Sequence, residues 1–307
     1  MKSDYIEKLR EKREIWLNCL NKDDTNSIIQ QVFKMIWNFA SFNIINEARK
    51  YAYTASNGGV QLNWLMHSLI NRCFFDSQLM AIRRLTDRYP LYGKEGVHSL
   101  AALIDDIKNN RNLFTRESIL KVEGLEYDYI SVRKKAQEYI DVNIKDSPFS
   151  GLPQELDWEI IRERHEQIDI LSGVDDKTRS LKDTIKQDIF DHLYKKLDCI
   201  SEIREYVDTF IAHAATKESR DSVNADDIRI TLSKLKEAHK NICIVVNYVS
   251  QHILGNGVFA FLDITNIGDK FAYIDNPLIS KDKIHILEEE WARYETEVLN
   301  WSGFTKI

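Results

Sequence analysis

His213 is where the residue types and spacing of this chain first suggest chemistry. It closes the run Ile203-Arg204-Glu205-Tyr206-Val207-Asp208-Thr209-Phe210-Ile211-Ala212-His213. In and just after that run, Ile203, Val207, Phe210 and Ala214 recur at i, i+4, i+7 and i+11, which makes one apolar helical stripe. At 100° per residue His213 falls about 80° off the centre of the stripe, with Tyr206 and Thr209 on the same flank. An imidazole at such a rim is partly desolvated yet can reach a ligand. Its pKa near neutrality suits general acid–base work. The same position also suits a plain helix-end cation, worth roughly 0.3–1 kcal/mol with no chemistry attached.

A second constellation lies upstream in Phe75 to Asp87. Asp76, Met80, Arg83 and Asp87 stand at i, i+4, i+7 and i+11, on the line that continues from Leu65 and Leu69. Two readings stand: a structural ion pair covering a helix–helix seam, or an Arg-bearing wall of a phosphate site, with Arg83 and Arg84 as the donors.

Other chemistries find no support. There is no GxxxxGK[ST], no GxGxxG after a strand, no HExxH and no GxSxG. The eight histidines do not pair at metal-ligand spacing, so neither a metal nor a cofactor is expected. Cys19, Cys73, Cys199 and Cys243 are far apart and read as reduced thiols of a cytoplasmic protein. No window reaches about 18 uninterrupted apolar residues, so no membrane span is expected. The net charge of -6 argues against a general polyanion-coating surface. RNA binding would need a local basic patch.

The elements that must position these residues are helical. Gly (11) and Pro (4) are scarce in 307 residues, and the periodic runs are long. The spacing predicts helices over about 3–20, 27–54, 60–87, 99–109, 125–143 and 158–171, with a short one between Thr115 as cap and Gly124 as breaker. The charges Arg162 to Glu166 read as a solvated face. From about Thr178 to Ala215 the pattern is helical almost throughout, as one helix or two. A helix from Asn224 to about Leu254 and a final one from Lys281 to about Trp301 follow. Val258–Thr265 and Phe271–Ile274, around Asn266-Ile267-Gly268-Asp269, predict a small hairpin. The fold expected is all-α, a bundle of long antiparallel helices over 1–254 with a linker near 146–156. A C-terminal extension over 255–307 holds the hairpin-like segment and the last helix.

On these residues the chain resembles the HEPN superfamily. Asp208, Ala212 and His213 match the end of its motif, an Arg followed some six positions later by a His. The Phe75–Asp87 stretch with its Arg-Leu-x-Asp ending, followed by Ser99-Leu100, resembles the abortive-infection branch. The resemblance covers roughly residues 25–254. It implies a homodimeric, metal-independent endoribonuclease acting in phage defence or as a toxin, with RNA as substrate and an antitoxin or other defence protein as a further partner. His213 would then do acid–base work on a ribose 2'-hydroxyl, with Asp208 beside it and an Arg stabilising phosphate charge. Val207 stands where the motif Arg is expected. Arg204 lies nine residues before His213, about 900° on a straight helix and so half a turn out of phase. Arg83 and Arg84 are the other candidate donors, with Thr209 and Tyr206 as substrate contacts. The competing expectation is a non-catalytic HEPN-like helical module that binds a partner, RNA or a nucleotide.

Overall fold

The computed structural model describes residues 2–23, 25–51, 63–143, 153–198, 200–211, 216–217, 230–261, 271–272 and 280–301. The chain divides into two units, Met1–Leu262 and Asp263–Ile307. Among the described residues the regular structure is helical, and the one β feature is an isolated antiparallel bridge between Thr115 and Thr184.

The first unit is built on three long helices: α1 (Lys2–Leu17), α2 (Ile28–Ala48) and α3 (Trp64–Leu85). Ser27 caps α2 by accepting from the Gln30 amide, and Asn63 caps α3 by accepting from Met66, so each start is fixed by a side-chain oxygen. α2 and α3 meet through stacked rings, Phe42 on Phe74 with centroids 3.7 Å apart. Trp16 of α1 is fully buried, stacks on Phe114 at 5.2 Å, and donates its indole N–H to Asp106 at 2.7 Å. An indole in a core needs such an acceptor.

Shorter helices close the unit: α4 (Leu100–Asn109), α5 (Arg116–Glu123), α6 (Tyr129–Asn143), α7 (Trp158–Ser172), α8 (Gln187–Asp198) and α9 (Ser201–Phe210). Thr115 caps α5 in a capping box, and Gly124 ends it at φ 70°, a left-handed value that suits glycine. α10 (Leu232–Tyr248) runs into a wider turn over Val249–Ile253. It sends Leu235, Ile242, Val245, Val246 and Val249 into the core.

Three expectations need correction. The helical pattern from Thr178 holds only from Gln187. Before that, the chain is bent by α5, whose first amides, Arg116 and Glu117, donate to the carbonyls of Asp183 and Leu181 at 2.8 and 3.0 Å. The charges of 162–166 are not all solvated, since Arg164 and His165 are buried. No hairpin strand forms among the described residues of 258–274, most of which lie outside the description. Phe259 has its backbone bonds supplied by a helix instead: its N–H donates to Asn247 Oδ1 at 2.8 Å, and its carbonyl accepts from Asn247 Nδ2. With Phe261 it packs on the core.

The second unit is described over a short turn, Lys281–Lys283, and α11 (Ile284–Trp301). No helix among the described residues is long and apolar enough to cross a membrane.

Candidate functional site

The end of α3 and the length of α9 lie side by side. α9 buries Ile203 and Val207, the inner edge of its stripe. One residue on, about 100° round the helix, Asp208 sits at the rim. The end of α3 is held from two sides. The Thr86 hydroxyl donates to the Ile82 carbonyl at 3.0 Å, and the Ser99 hydroxyl donates to the Asp87 carbonyl while accepting from the Ala102 amide to cap α4. This fixes the residues between them, Arg83, Arg84 and Asp87, against α9.

Arg83 reaches across the seam. Its Nε donates to Asp208 Oδ1 at 2.8 Å, and one terminal nitrogen donates to Asp87 Oδ2 at 2.8 Å. The Asp208 bond holds the guanidinium pKa above its ordinary value, with Asp87 adding to it. Arg204 approaches the other oxygen of Asp208 at 4.0 Å. Two cations and two carboxylates thus cancel, and the cluster is partly open, with the Arg83 side chain 22% exposed and that of Asp208 38%. A phosphate entering here would replace Asp208 on Arg83 and keep the fork geometry that guanidinium offers to oxyanions. Tyr206 and Phe210 pack ring to ring, centroids 4.9 Å apart, and Thr209 is half-buried beside them.

Arg84 points elsewhere. It lines a cavity of about 800 Å³ together with Lys34, Asp76, Ser77, Asp87 and His98. Asp87 therefore touches both places, bonded to Arg83 and lining the cavity of Arg84. Of the four positions read as one charged line on α3, Asp76 goes with Arg84, while Arg83 pairs with Asp87 and with Asp208 of the neighbouring helix. Among the described residues no group of three His, Cys, Asp or Glu is placed to hold a metal ion.

His213 lies outside the described residues. α9 is helical to Phe210, with Ile211 as its cap. Val207, at the place of the expected motif Arg, is fully buried. A guanidinium at that position would face the core rather than the rim.

Sequence reasoning missed a second charged cluster, centred on a fully buried arginine. Arg116, with no exposed side-chain surface, donates to Asp183 Oδ2 at 2.9 Å, Asp169 Oδ1 at 2.6 Å and His165 Nδ1 at 2.9 Å. Because Arg only donates, Nδ1 is the acceptor and Nε2 carries the hydrogen, which it gives to the Tyr127 carbonyl at 3.0 Å. Burial pushes the His165 pKa down to about 4, with Arg116 and Arg179 adding to it. Burial alone would raise Asp169, but the Arg179 and Arg116 bonds win and hold it below the usual carboxylate range. Nearby, Arg164 forks onto Glu123 with two 2.8 Å bonds and donates to the His252 and Ile253 carbonyls at the end of the α10 run. The only hint in the sequence is the density of charge between Arg162 and Asp183.

Residues 29–270 match the family model for AbiU2, a HEPN family. The match spans α2 to α10 and includes Arg83, Asp87, Arg204, Asp208 and His213. No curated protein and no solved structure matches the chain.

Proposed function

The chain belongs to the HEPN AbiU2 family, in the abortive-infection branch of the superfamily, and on that premise we propose that it is a phage-defence endoribonuclease whose missing motif Arg is supplied by Arg83. In this reading His213 takes the proton of a ribose 2'-hydroxyl. The oxygen attacks the adjacent phosphorus, the bond to the 5'-oxygen breaks, and that oxygen leaves with a proton while a 2',3'-cyclic phosphate remains. Arg83 stabilises the charge that builds on the phosphoryl oxygens. Asp208 holds Arg83 in place until the phosphate displaces it. Arg204 and Arg84 contact neighbouring phosphates, and Tyr206 and Thr209 contact the nucleoside. Two copies act together, and an antitoxin or another defence protein restrains them.

The observation that carries this reading is the 2.8 Å bond from Arg83 to Asp208. It brings a guanidinium from α3 to the motif helix, five residues before His213 in sequence, where the motif's own position holds an inward-facing Val207. The test uses purified full-length protein and a panel of RNAs without added metal. His213→Ala and Arg83→Ala should each abolish cleavage while circular dichroism stays unchanged. Cleavage that survives His213→Ala would remove the mechanism.

A second reading is favoured by one observation: Arg83 is already held by two carboxylates, and Val207 closes the motif position. The protein is then a HEPN scaffold that binds without cutting. Wild-type protein that binds RNA or a defence partner yet never cleaves would select it.

A further inference from the structure

The cavity that Arg84 lines holds charges the ribonuclease reading leaves largely unused. It measures about 800 Å³ and lies between α2, the second half of α3 and the segment 96–98, a volume in the range of small-ligand sites. Two of its carboxylates are already engaged. Asp87 accepts from a terminal nitrogen of Arg83 at 2.8 Å. Asp23 Oδ1 accepts the Thr25 and Asn26 amides at 2.9 and 3.0 Å, and its other oxygen lies 3.7 Å from His98 Nδ1. Three charges are left. Arg84 and Asp76 have no partner among the described residues, and Lys34 has only the Thr25 carbonyl at 3.4 Å. All three are exposed. Their order along the cavity follows from the helix pairing. Phe42 of α2 stacks on Phe74 of α3, and further along Gln78 donates to the Met35 carbonyl at 3.2 Å, so the two helices run antiparallel. Asn38 therefore falls level with Asp76 and Ser77, and Lys34 lies about a turn nearer to Arg84. Along α3, eight residues set Arg84 about 12 Å beyond Asp76. One end of the cavity is thus a carboxylate between neutral polar groups and the other is cationic, with Met35, Met80 and Ala81 as apolar wall.

We propose that this cavity binds a guanosine phosphate, with the phosphate on Arg84 and Lys34 and the base edge on Asp76. A guanidinium and an ammonium that hold no carboxylate are open to an oxyanion. A carboxylate only accepts hydrogen bonds, so it selects a base that offers two donors side by side. Guanine does so with N1–H and its 2-amino group. Adenine and cytosine set a ring acceptor beside their amino group, and uracil sets a carbonyl on each side of its one N–H. Each of these would turn a lone pair towards Asp76. Ser77 and Asn38 stand at the same end with donors for the guanine carbonyl. The guanosine is either a free nucleotide or one nucleoside of an RNA strand. Only in the second case does the inference rest on the ribonuclease reading, and binding without cleavage leaves it standing.

The test is calorimetry on the full chain with 5'-GMP, 5'-IMP, 5'-AMP, 5'-CMP, 5'-UMP and inorganic phosphate as probes. GMP should bind at one per chain and about tenfold tighter than any other probe, the discrimination expected of one bidentate base contact. IMP, which lacks the 2-amino group, should fall with the rest. Arg84→Ala should weaken GMP by about tenfold, the loss of a charge-assisted contact to phosphate. Asp76→Asn should weaken GMP and strengthen AMP, because Asn offers adenine the acceptor and the donor it needs. That gain is one a misfolded variant could not give. A single-stranded RNA with one guanosine, compared with the same strand carrying adenosine there, identifies the source. A guanosine strand that binds more tightly than GMP assigns the cavity to RNA, and one that binds more weakly assigns it to a free nucleotide. Equal binding of all the mononucleotides, phosphate bound as tightly as GMP, or no probe bound overturns the proposal. So does an order of affinities that Asp76→Asn leaves unchanged. RNA left uncut while GMP binds refutes the ribonuclease reading alone, and RNA cut while no nucleotide binds refutes the cavity alone.

Discussion

Arg116 and Arg83 are both forked between two aspartates, one carboxylate on each side of the guanidinium. Arg116 lies between Asp183 and Asp169, and Arg83 between Asp208 and Asp87. The bond lengths are alike, from 2.6 to 2.9 Å. Solvent separates them. The Arg116 side chain is 0% exposed, and its remaining donor capacity goes to a neutral histidine. Arg83 is 22% exposed and Asp208 more so. In the Arg116 cluster the guanidinium has lost its hydration, and Asp183 and Asp169 keep only 8 and 14% of their side chains exposed, so each depends largely on its partners. At the seam of α3 and α9 Asp87 is buried, but water reaches Arg83 and Asp208 and competes for that bond, and a ligand oxyanion can do what water does there. The same fork is enclosed in one place and partly open to solvent in the other.

The largest effect should come from breaking the sealed clasp. Arg116→Ala leaves Asp169 and Asp183 without that partner in the interior, and a broken buried pair costs about 3–5 kcal/mol. Urea denaturation followed by circular dichroism should register that loss, and a midpoint near wild type would mean that water reaches the cluster.

The sealed region should also respond to mild acid. His165 is neutral in the fold with a pKa near 4, against an ordinary value of 6.5. Between those values the unfolded chain binds a proton that the folded chain refuses, so stability rises with pH across that window. Its contribution is complete above 6.5 and is lost as pH falls towards 4. His239, also pushed down to about 4 by burial, adds a second such group. Urea midpoints at pH 7, 5.5 and 4.5 should fall in order. His165→Gln should flatten the decline by one histidine's share and leave the remainder to His239 and to His252 and His67, whose pKa values burial also lowers. An unchanged slope would take His165 out of the account.

Arg164 extends the comparison, because it too is sealed and forked, here on Glu123. Gly255 packs against that pair. Its φ is +62°, and an added Cβ would lie 2.7 Å from Glu123 Oε1 and 3.3 Å from the Arg164 guanidinium carbon. Gly255→Ala should therefore cost about 1–2 kcal/mol in left-handed strain and in displaced side chains. A neutral result would mean that the Arg164 clasp gives way more easily than that of Arg116.

How far these features could be read in advance follows the range of the interaction behind each. Ser99, Thr115 and Gly124 act on amides or turns within a few residues, and all three mark real helix ends. The apolar stripe of α9 is local in the same sense, and Ile203 and Val207 face the core as its period requires. Arg164 and His165 sit in a run that reads as solvated, and what buries them comes from residues 123, 127, 116 and 252, far along the chain. Among its described residues the hairpin expected near 258–274 forms no strand, for a related reason. β-branched residues predict a backbone that needs partners, and for Phe259 those come from the Asn247 side chain. At the candidate site the charged line on α3 was legible, but its division was not. Which side of the helix meets α9 and which meets the cavity depends on packing between helices far apart in sequence. Arg83 and Asp208 are 125 residues apart.

A smaller effect on stability than at Arg116 should come from the pair proposed to act on RNA. Arg83→Ala removes two hydrogen bonds, but Asp208 keeps access to water and to Arg204, and Asp87 lines an open cavity. The partly exposed Arg83–Asp208 pair contributes about 1 kcal/mol or less, and although Asp87 is buried, Arg83 itself is partly exposed, so the loss stays below that at Arg116. The urea midpoint should therefore move less than for Arg116→Ala, while RNA cleavage, if Arg83 stabilises the phosphoryl charge, should fall by about 10²–10³-fold, the loss typical of removing one charge-stabilising donor. Measured side by side, Arg116→Ala and Arg83→Ala should separate stability from activity in opposite directions. If Arg83→Ala instead destabilises the fold as strongly as Arg116→Ala, Arg83 is a second clasp. Any lost activity would then report unfolding, and the α3–α9 seam would have no group free to take a phosphate.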